Sequence, residues 1–266
     1  MARCSCATTS SEPVNQCFCL VQAGENVDVV GVGSAADPYI VIGDDTFFGM
    51  TVFNTAGTFP WDPALMNDEI KYLRVRCVGG GGGSASTGAT IAGQGIARGG
   101  GGGGAYTEGW VSQPVAAVTI TVGAGGTGGT PGGTPTAGGA GGASSFGALV
   151  VANGGSGSGI ATAPGVGPLI SAGGNQGAAG VVAGQVSIAG QPGTGGFFQA
   201  VGIRMGGAGG SAGGLGVSGV TNFNIASGLA GRNYGGGASG SAADGVNAGQ
   251  VGAAGSVGIV IVEAFG

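Results

Sequence analysis

The stretch Val118-Thr119-Ile120-Thr121-Val122-Gly123-Ala124-Gly125-Gly126-Thr127-Gly128-Gly129 carries two patterns in succession. Its first five residues are all β-branched, which reads as a short strand bounded by glycine. From Gly123 onward, glycine returns every third residue, at Gly123, Gly126 and Gly129. A period of three is that of the polyproline-II helix, which turns once per three residues and makes no hydrogen bonds within itself. Its N–H and C=O groups must therefore find partners elsewhere, because a buried backbone group cannot stay unpaired. Glycine at every third position strips Cβ from one ridge, so neighbouring helices can approach until their backbones bond to each other. The stretch reads as a strand feeding a polyglycine-II helix.

The same phase continues through Gly132, Gly138, Gly141 and Gly147, returns at Gly207, Gly210, Gly213, Gly216 and Gly219, and appears again at Gly237, Gly240, Gly249, Gly252, Gly255 and Gly258. A flexible Gly/Ser linker would show no phase. Collagen needs one long unbroken G-X-Y run. Here the tracts alternate with turn-like or apolar islands, residues 160–170, 186–204 and 220–234, which suits one chain folding back repeatedly into a stack.

Composition supports order without a conventional surface. Of 266 residues 69 are Gly, against a usual share of about 7%. Residues 1–78 hold six of these glycines and 13 of the 19 charges. From Gly109 to Val262 the only charges are Arg204, Arg232 and Asp244. Disordered chains combine low hydrophobicity with high net charge, whereas this body is rich in Val, Ile and Ala. Seven cations, scattered along the chain, cannot neutralise a phosphate track, so nucleic acid is not an expected partner. The chain has no His, which excludes histidine-based catalysis. No run of about 18 apolar residues exists, so no membrane-spanning helix is expected. The opening residues Met1-Ala2-Arg3-Cys4-Ser5-Cys6 carry no apolar segment of the secretory type. Synthesis in a cytoplasm is expected.

The predicted fold class is mostly β with an irregular body. A small N-terminal β unit, residues 1–45, precedes a glycine-rich β base carrying a stack of polyglycine-II helices, residues 46–266. Within the first part, alternation at Val27, Val29 and at Ile40, Ile42 predicts two short strands joined by a turn. Phe47, Phe48, Val52, Phe53, Phe59 and Trp61 then form a compact apolar unit with a turn at Asn54–Gly57. Further strands are predicted at Lys71–Val78, Ala105–Val111, Val118–Val122, Phe146–Val151 and Val257–Val262, and no amphipathic helix beyond one turn in Asp62–Lys71.

Few residues carry chemistry. Cys4-x-Cys6 and Cys17-x-Cys19 admit two disulfides in any of three connectivities, a structural metal site with a spacing tighter than usual, or thiols that are free or paired between chains. Apart from that possible metal, no cofactor is expected. Cys77, on the apolar side of a strand, reads as an inert core thiol. The glycine runs are not a phosphate loop, because the only lysine, Lys71, precedes them. The carboxylate pairs Asp44-Asp45 and Asp68-Glu69 read as solvated turns. In the uncharged body Phe197-Phe198, Arg204, Asn222-Phe223-Asn224 and Arg232-Asn233-Tyr234 bring together ring faces, amides and guanidinium groups. Those are the groups with which proteins hold sugars; the alternative reading makes them plugs between helices or a subunit interface.

The order of features from residue 50 onward resembles a known family. Phe53, Gly57-Thr58-Phe59, Trp61 and Pro63 lead into the strand Tyr72–Val78; Gly79–Gly83, Gly99–Gly104, Val118–Gly126 and Gly142–Gly147 follow; and the Gly255–Val262 strand closes the chain. This resembles the glycine-rich domain of bacteriophage tail-fibre and minor tail proteins, including T-even-like adhesins. Val30–Ile40 is similar to a fibre motif of actinobacterial phages. The resemblance implies a non-enzymatic virion protein: an upstream portion fixed to other tail or baseplate proteins, often a homotrimer, and distal loops attached to a host-surface glycan, wall polymer or protein. The competing expectation is a purely structural decoration, or a glycine-rich surface or ice-binding protein.

Overall fold

The computed structural model describes residues 47–63, 68–112, 116–180, 185–213 and 225–266, and the backbone of four short strands upstream of them. Upstream, Arg3–Ser5 pairs with Phe18–Leu20, and Val27–Val30 pairs antiparallel with Ile40–Gly43, as the alternation there predicts. The described residues form strands and irregular extended segments without an α-helix, so the fold is mostly β.

The base is a pair of facing antiparallel sheets. One runs Gln185–Ile188, Tyr106–Ser112, Tyr72–Val78, Ile259–Phe265, Phe47–Phe53; the other runs Val150–Ala152, Ser144–Phe146, Val118–Val122, Gly57–Trp61. Alternation puts Leu73, Val75 and Cys77 of one sheet against Ile120, Val122 and Phe146 of the other, together with Val260, Val262 and Trp61. Each fully buried aliphatic or aromatic side chain there contributes about 1.5–3 kcal/mol. Trp61 meets Phe146 edge to face with centroids 5.8 Å apart. The single strand expected at Phe146–Val151 is two strands, because Gly147 turns the chain with φ +55° between them. The island expected at 186–204 is also divided, since its first residues belong to the edge strand Gln185–Ile188.

Most base strands run straight into glycine threads, and the threads obey the three-residue period bond by bond. In thread 79–87, Gly80, Gly83 and Ser86 donate to Gly142, Gly139 and Thr136; Gly81, Ser84 and Thr87 donate to Ser256, Ala253 and Gln250; Gly79 and Gly82 donate to Ala105 and Gly102. Its carbonyls accept from Gly126 and Gly129, from Gly155 and Ser158, and from Ala238. Successive residues thus point to different neighbours, and every third residue returns to the same one. That is the polyglycine-II lattice, and six threads surround this one. Thread 98–105 is the second centre. It donates to segments 235–241, 191–194 and 153–156 and accepts from 79–82, 174–177 and 207–213.

The sequence follows from this packing. A Cβ on Gly81, Gly82 or Gly83 would stand 2.0 Å from a carbonyl oxygen of three different threads, those of Gly236, Ser156 and Thr127. A thread enclosed on all sides therefore tolerates no side chain at several successive positions, which is why Gly79–Gly83 and Gly99–Gly104 are unbroken runs. A peripheral thread has one free side. In 123–130, Ala124, Thr127 and Thr130 face solvent and the positions between them are glycine. Where a backbone partner is missing, a buried hydroxyl supplies it: Ser158 Oγ accepts from Ala85 N at 2.9 Å, Ser144 Oγ from Gly123 N at 3.0 Å, and Ser84 Oγ from Ala253 N at 2.9 Å.

Gly101→Ala should destabilise the protein by about 3 kcal/mol or more in thermal unfolding, because the new methyl meets backbone that cannot move aside. Gly133→Ala, where a Cβ meets nothing within 4 Å, should be neutral or stabilising by up to about 1 kcal/mol.

Candidate functional site

The threads separate the base from a second structured end. There the chain turns through Gly95–Ala97 paired with Ala242–Asp244, and through a three-stranded sheet, Leu169–Ser171, Gly196–Ala200, Ile203–Met205. With about 3.1 Å per residue, the thread 235–241 alone holds the two ends roughly 20 Å apart. We refer to this second end as the tip.

The tip sheet has two faces. Leu169, Phe198 and Arg204 are register partners on the inner side, and Ile170, Phe197 and Met205 on the outer. Phe198 is fully buried; its ring packs on Ala97 and Ala242 beside Leu169, and a Cβ on Gly95 would fall 2.0 Å from it. The sequence reading of Phe198 as a contact residue is therefore corrected: it is a plug that fixes the tip sheet on the thread ends. Arg204 is also turned inward and forms an ion pair with Asp244, the side chains being 10% and 4% exposed. Asp244 Oδ2 accepts a second bond from Gly202 N at 2.7 Å, where a φ of +86° turns the hairpin. One buried carboxylate thus holds both the turn and the guanidinium of the same hairpin.

Arg98 anchors a second loop. Buried at the start of a central thread, it donates through Nε to Ser86 O at 2.9 Å and through Nη1 to Thr162 O at 2.7 Å. Burial lowers its pKa below the usual arginine value, yet guanidinium stays charged at any ordinary pH. Bridges Gly95–Gly165 and Thr90–Asn247, and the bond from Gly245 N to Gln94 O, tie the remaining tip loops together. Several aliphatic side chains stand outward on this frame: Val246 is 86% exposed, Val166 75%, Ile170 74% and Ile91 65%, with Val201 and Ile203 also exposed.

The other sequence candidates lie elsewhere. Arg232, Asn233 and Tyr234 sit at the base end, where Tyr234 packs on Val78, Ala212 and Ile259 and accepts from Asn54 Nδ2 at 3.4 Å. They cannot form one site with Phe197 and Arg204. Asn222, Phe223 and Asn224 lie outside the described residues, as do Cys6 and Cys17. Cys4 and Cys19 are register partners across their strand pair. Cys77 is buried in the base core, and burial pushes its thiol up to about 12, in keeping with an inert core residue.

A charge ladder on the outer face of the five-stranded sheet escaped the sequence reading. Arg74 Nε meets Glu108 Oε1 at 2.8 Å, and Arg76 Nη2 meets Glu263 Oε1 at 2.8 Å. The Arg74 hydrogen bond, aided by that from Tyr106 OH, holds the Glu108 carboxyl below the usual range, although its partial burial opposes the shift. Alternation at Tyr72, Arg74 and Arg76 was the available signal; what it lacked was the register that brings Glu108 and Glu263 alongside.

The chain is thus a β-sandwich bearing a stack of hydrogen-bonded glycine threads, with loops fastened at the far end. The chain matches the glycine-rich domain family over residues 54–265 and belongs to it. No curated protein matches the chain. No helix among the described residues is long and apolar enough to cross a membrane.

Asp244→Ala strands a buried guanidinium and should cost about 3 kcal/mol or more in thermal unfolding; adding Arg204→Met should recover part of that loss. The depressed Glu108 carboxyl contributes stability that is complete above the usual carboxylate range and is lost as pH falls through the depressed value. Glu108→Gln should therefore flatten the decline of melting temperature on the acid side.

Proposed function

We propose that this chain is a non-enzymatic adhesin of a bacteriophage tail, a tail-fibre or minor tail protein that attaches the virion to a host cell-surface glycan or wall polymer. The observation that carries the reading is the tip: exposed aliphatic side chains gathered on loops that buried groups hold in place. Apolar side chains held out on loops of fixed backbone are of the kind a partner covers. Fixing the loops beforehand lowers the ordering cost of binding, and several copies on one virion multiply weak contacts. The order of features from Phe53 to Val262, which resembles phage fibre domains, gives the setting.

In this reading the contact set is not the one the composition suggests. Val166, Ile170, Val246 and the half-buried Phe197 meet the receptor, while Phe198, Arg204, Asp244 and Arg98 position the loops. The upstream residues 1–45 serve attachment to other tail proteins, and the protein is assembled into virions after synthesis in the host cytoplasm.

Fluorescently labelled protein applied to a panel of actinobacterial cells tests the reading. The wild-type chain should bind at least one strain, and binding should survive protease treatment of the cells. The Val166→Asp/Ile170→Asp/Val246→Asp variant should bind at least about tenfold less with an unchanged melting temperature. Assembly onto virions without binding to any strain would instead make the protein a structural decoration.

A further inference from the structure

We propose that the strand Phe47–Phe53 is the interface between two copies of this chain, joined edge to edge around a two-fold axis into one continuous sheet. Among the described residues this strand ends the five-stranded sheet, pairing with Ile259–Phe265 on one side only. Exposed edges are usually kept short, charged or broken by proline, because their free N–H and C=O groups template further pairing. This edge has seven residues, with no charge and no proline. Phe47, Met50 and Val52 are 56%, 55% and 42% exposed. The opposite edge of the same sheet, Gln185–Ile188, has four residues.

The occupant follows from symmetry and charge. A strand is its own partner in an antiparallel ladder, and a two-fold axis sets identical residues against each other. Any charge near that axis would face its own copy, and like charges directly opposite are destabilising. A charge-free strand removes that penalty. On the neighbouring strands of the sheet the charges are matched within each copy, Arg74 with Glu108 and Arg76 with Glu263.

The same flank is unfinished inside. A cavity of about 230 Å³ lies between the edge strand and Trp61, lined also by Ile70, Val262 and Ala264. Trp61 is only 8% exposed, yet its Nε1–H has no acceptor among the described residues. A copy seated along the edge would cover this opening. Pairing all seven residues sets Met50 opposite Met50. The register shift between Ala264 and Phe265 leaves Phe48 as an extra residue, and a ladder restricted to Gly49–Phe53 makes the two Met50 side chains diagonal neighbours, still within reach of each other.

The inference concerns the base and is independent of what the tip binds. Light scattering and sedimentation of the full chain should give twice the 24.6 kDa of one chain. Met50→Lys, at an exposed position opposite Glu263 on the neighbouring strand, should keep the melting temperature and weaken association at least about tenfold. Met50→Glu, which faces that carboxylate, should weaken association as much with a somewhat lower melting temperature. Mixing the two variants should restore the dimer through opposite charges. A monomer or a trimer of the wild-type chain, a dimer indifferent to Met50→Lys, or a mixture that stays monomeric would each overturn the proposal.

Discussion

Everything in this molecule depends on pairing backbone N–H and C=O groups between threads that have no helix or sheet of their own. Glycine loses more conformational freedom on folding than any other residue, so a body built from it stays ordered only if each immobilised peptide finds its bonds. The lattice meets that demand geometrically. With three residues per turn, successive N–H groups point about 120° apart, and a thread surrounded by six others bonds in every direction. Along the runs Gly79–Gly83 and Gly99–Gly104 the contacts are too close for a Cβ, which would stand about 2 Å from a carbonyl oxygen. Composition is therefore a consequence of coordination number.

That relation explains which parts of the structure were legible. The three-residue period was readable because it marks peripheral threads, where one residue in three, such as Ala124, Thr127 and Thr130, looks outward. The unbroken runs Gly79–Gly83 and Gly99–Gly104 carried a further message, enclosure on all sides, which single-phase counting does not extract. Strands such as Tyr72–Val78 and Val118–Val122 were visible from alternation because one face of each is core. Gln185–Ile188 was hidden, since it is an edge strand whose Val186 and Ile188 stay exposed.

The site was less legible than the fold, for a physical reason. Aromatic and charged residues in a glycine body stand out by rarity, and rarity does not distinguish a surface group from a plug. Phe198 and Arg204 are conspicuous because removing a large side chain from water needs a special place, the floor of the tip sheet. Val166, Ile170 and Val246 are inconspicuous among so many valines and isoleucines, and they are the side chains that solvent meets. The distance between Arg204 and Tyr234 comes from the direction of thread 235–241, which no local pattern encodes.

The division of apolar surface between the two ends then acquires a meaning that composition alone lacks. A stack whose interior admits only glycine, alanine and small hydroxyl residues has almost no freedom to evolve a binding surface along its length, because side chains beyond the outward ridges break the lattice. Variation is confined to the places where the chain leaves the lattice, the turns of the tip and the strands of the base. The most exposed of the large apolar residues stand there too, Val246 and Ile170 at one end, Phe47, Met50 and Trp110 at the other. The threads between them fix the distance and orientation of two surfaces that can change independently. A scaffold held by backbone alone lets its ends diverge in sequence while its middle stays constant.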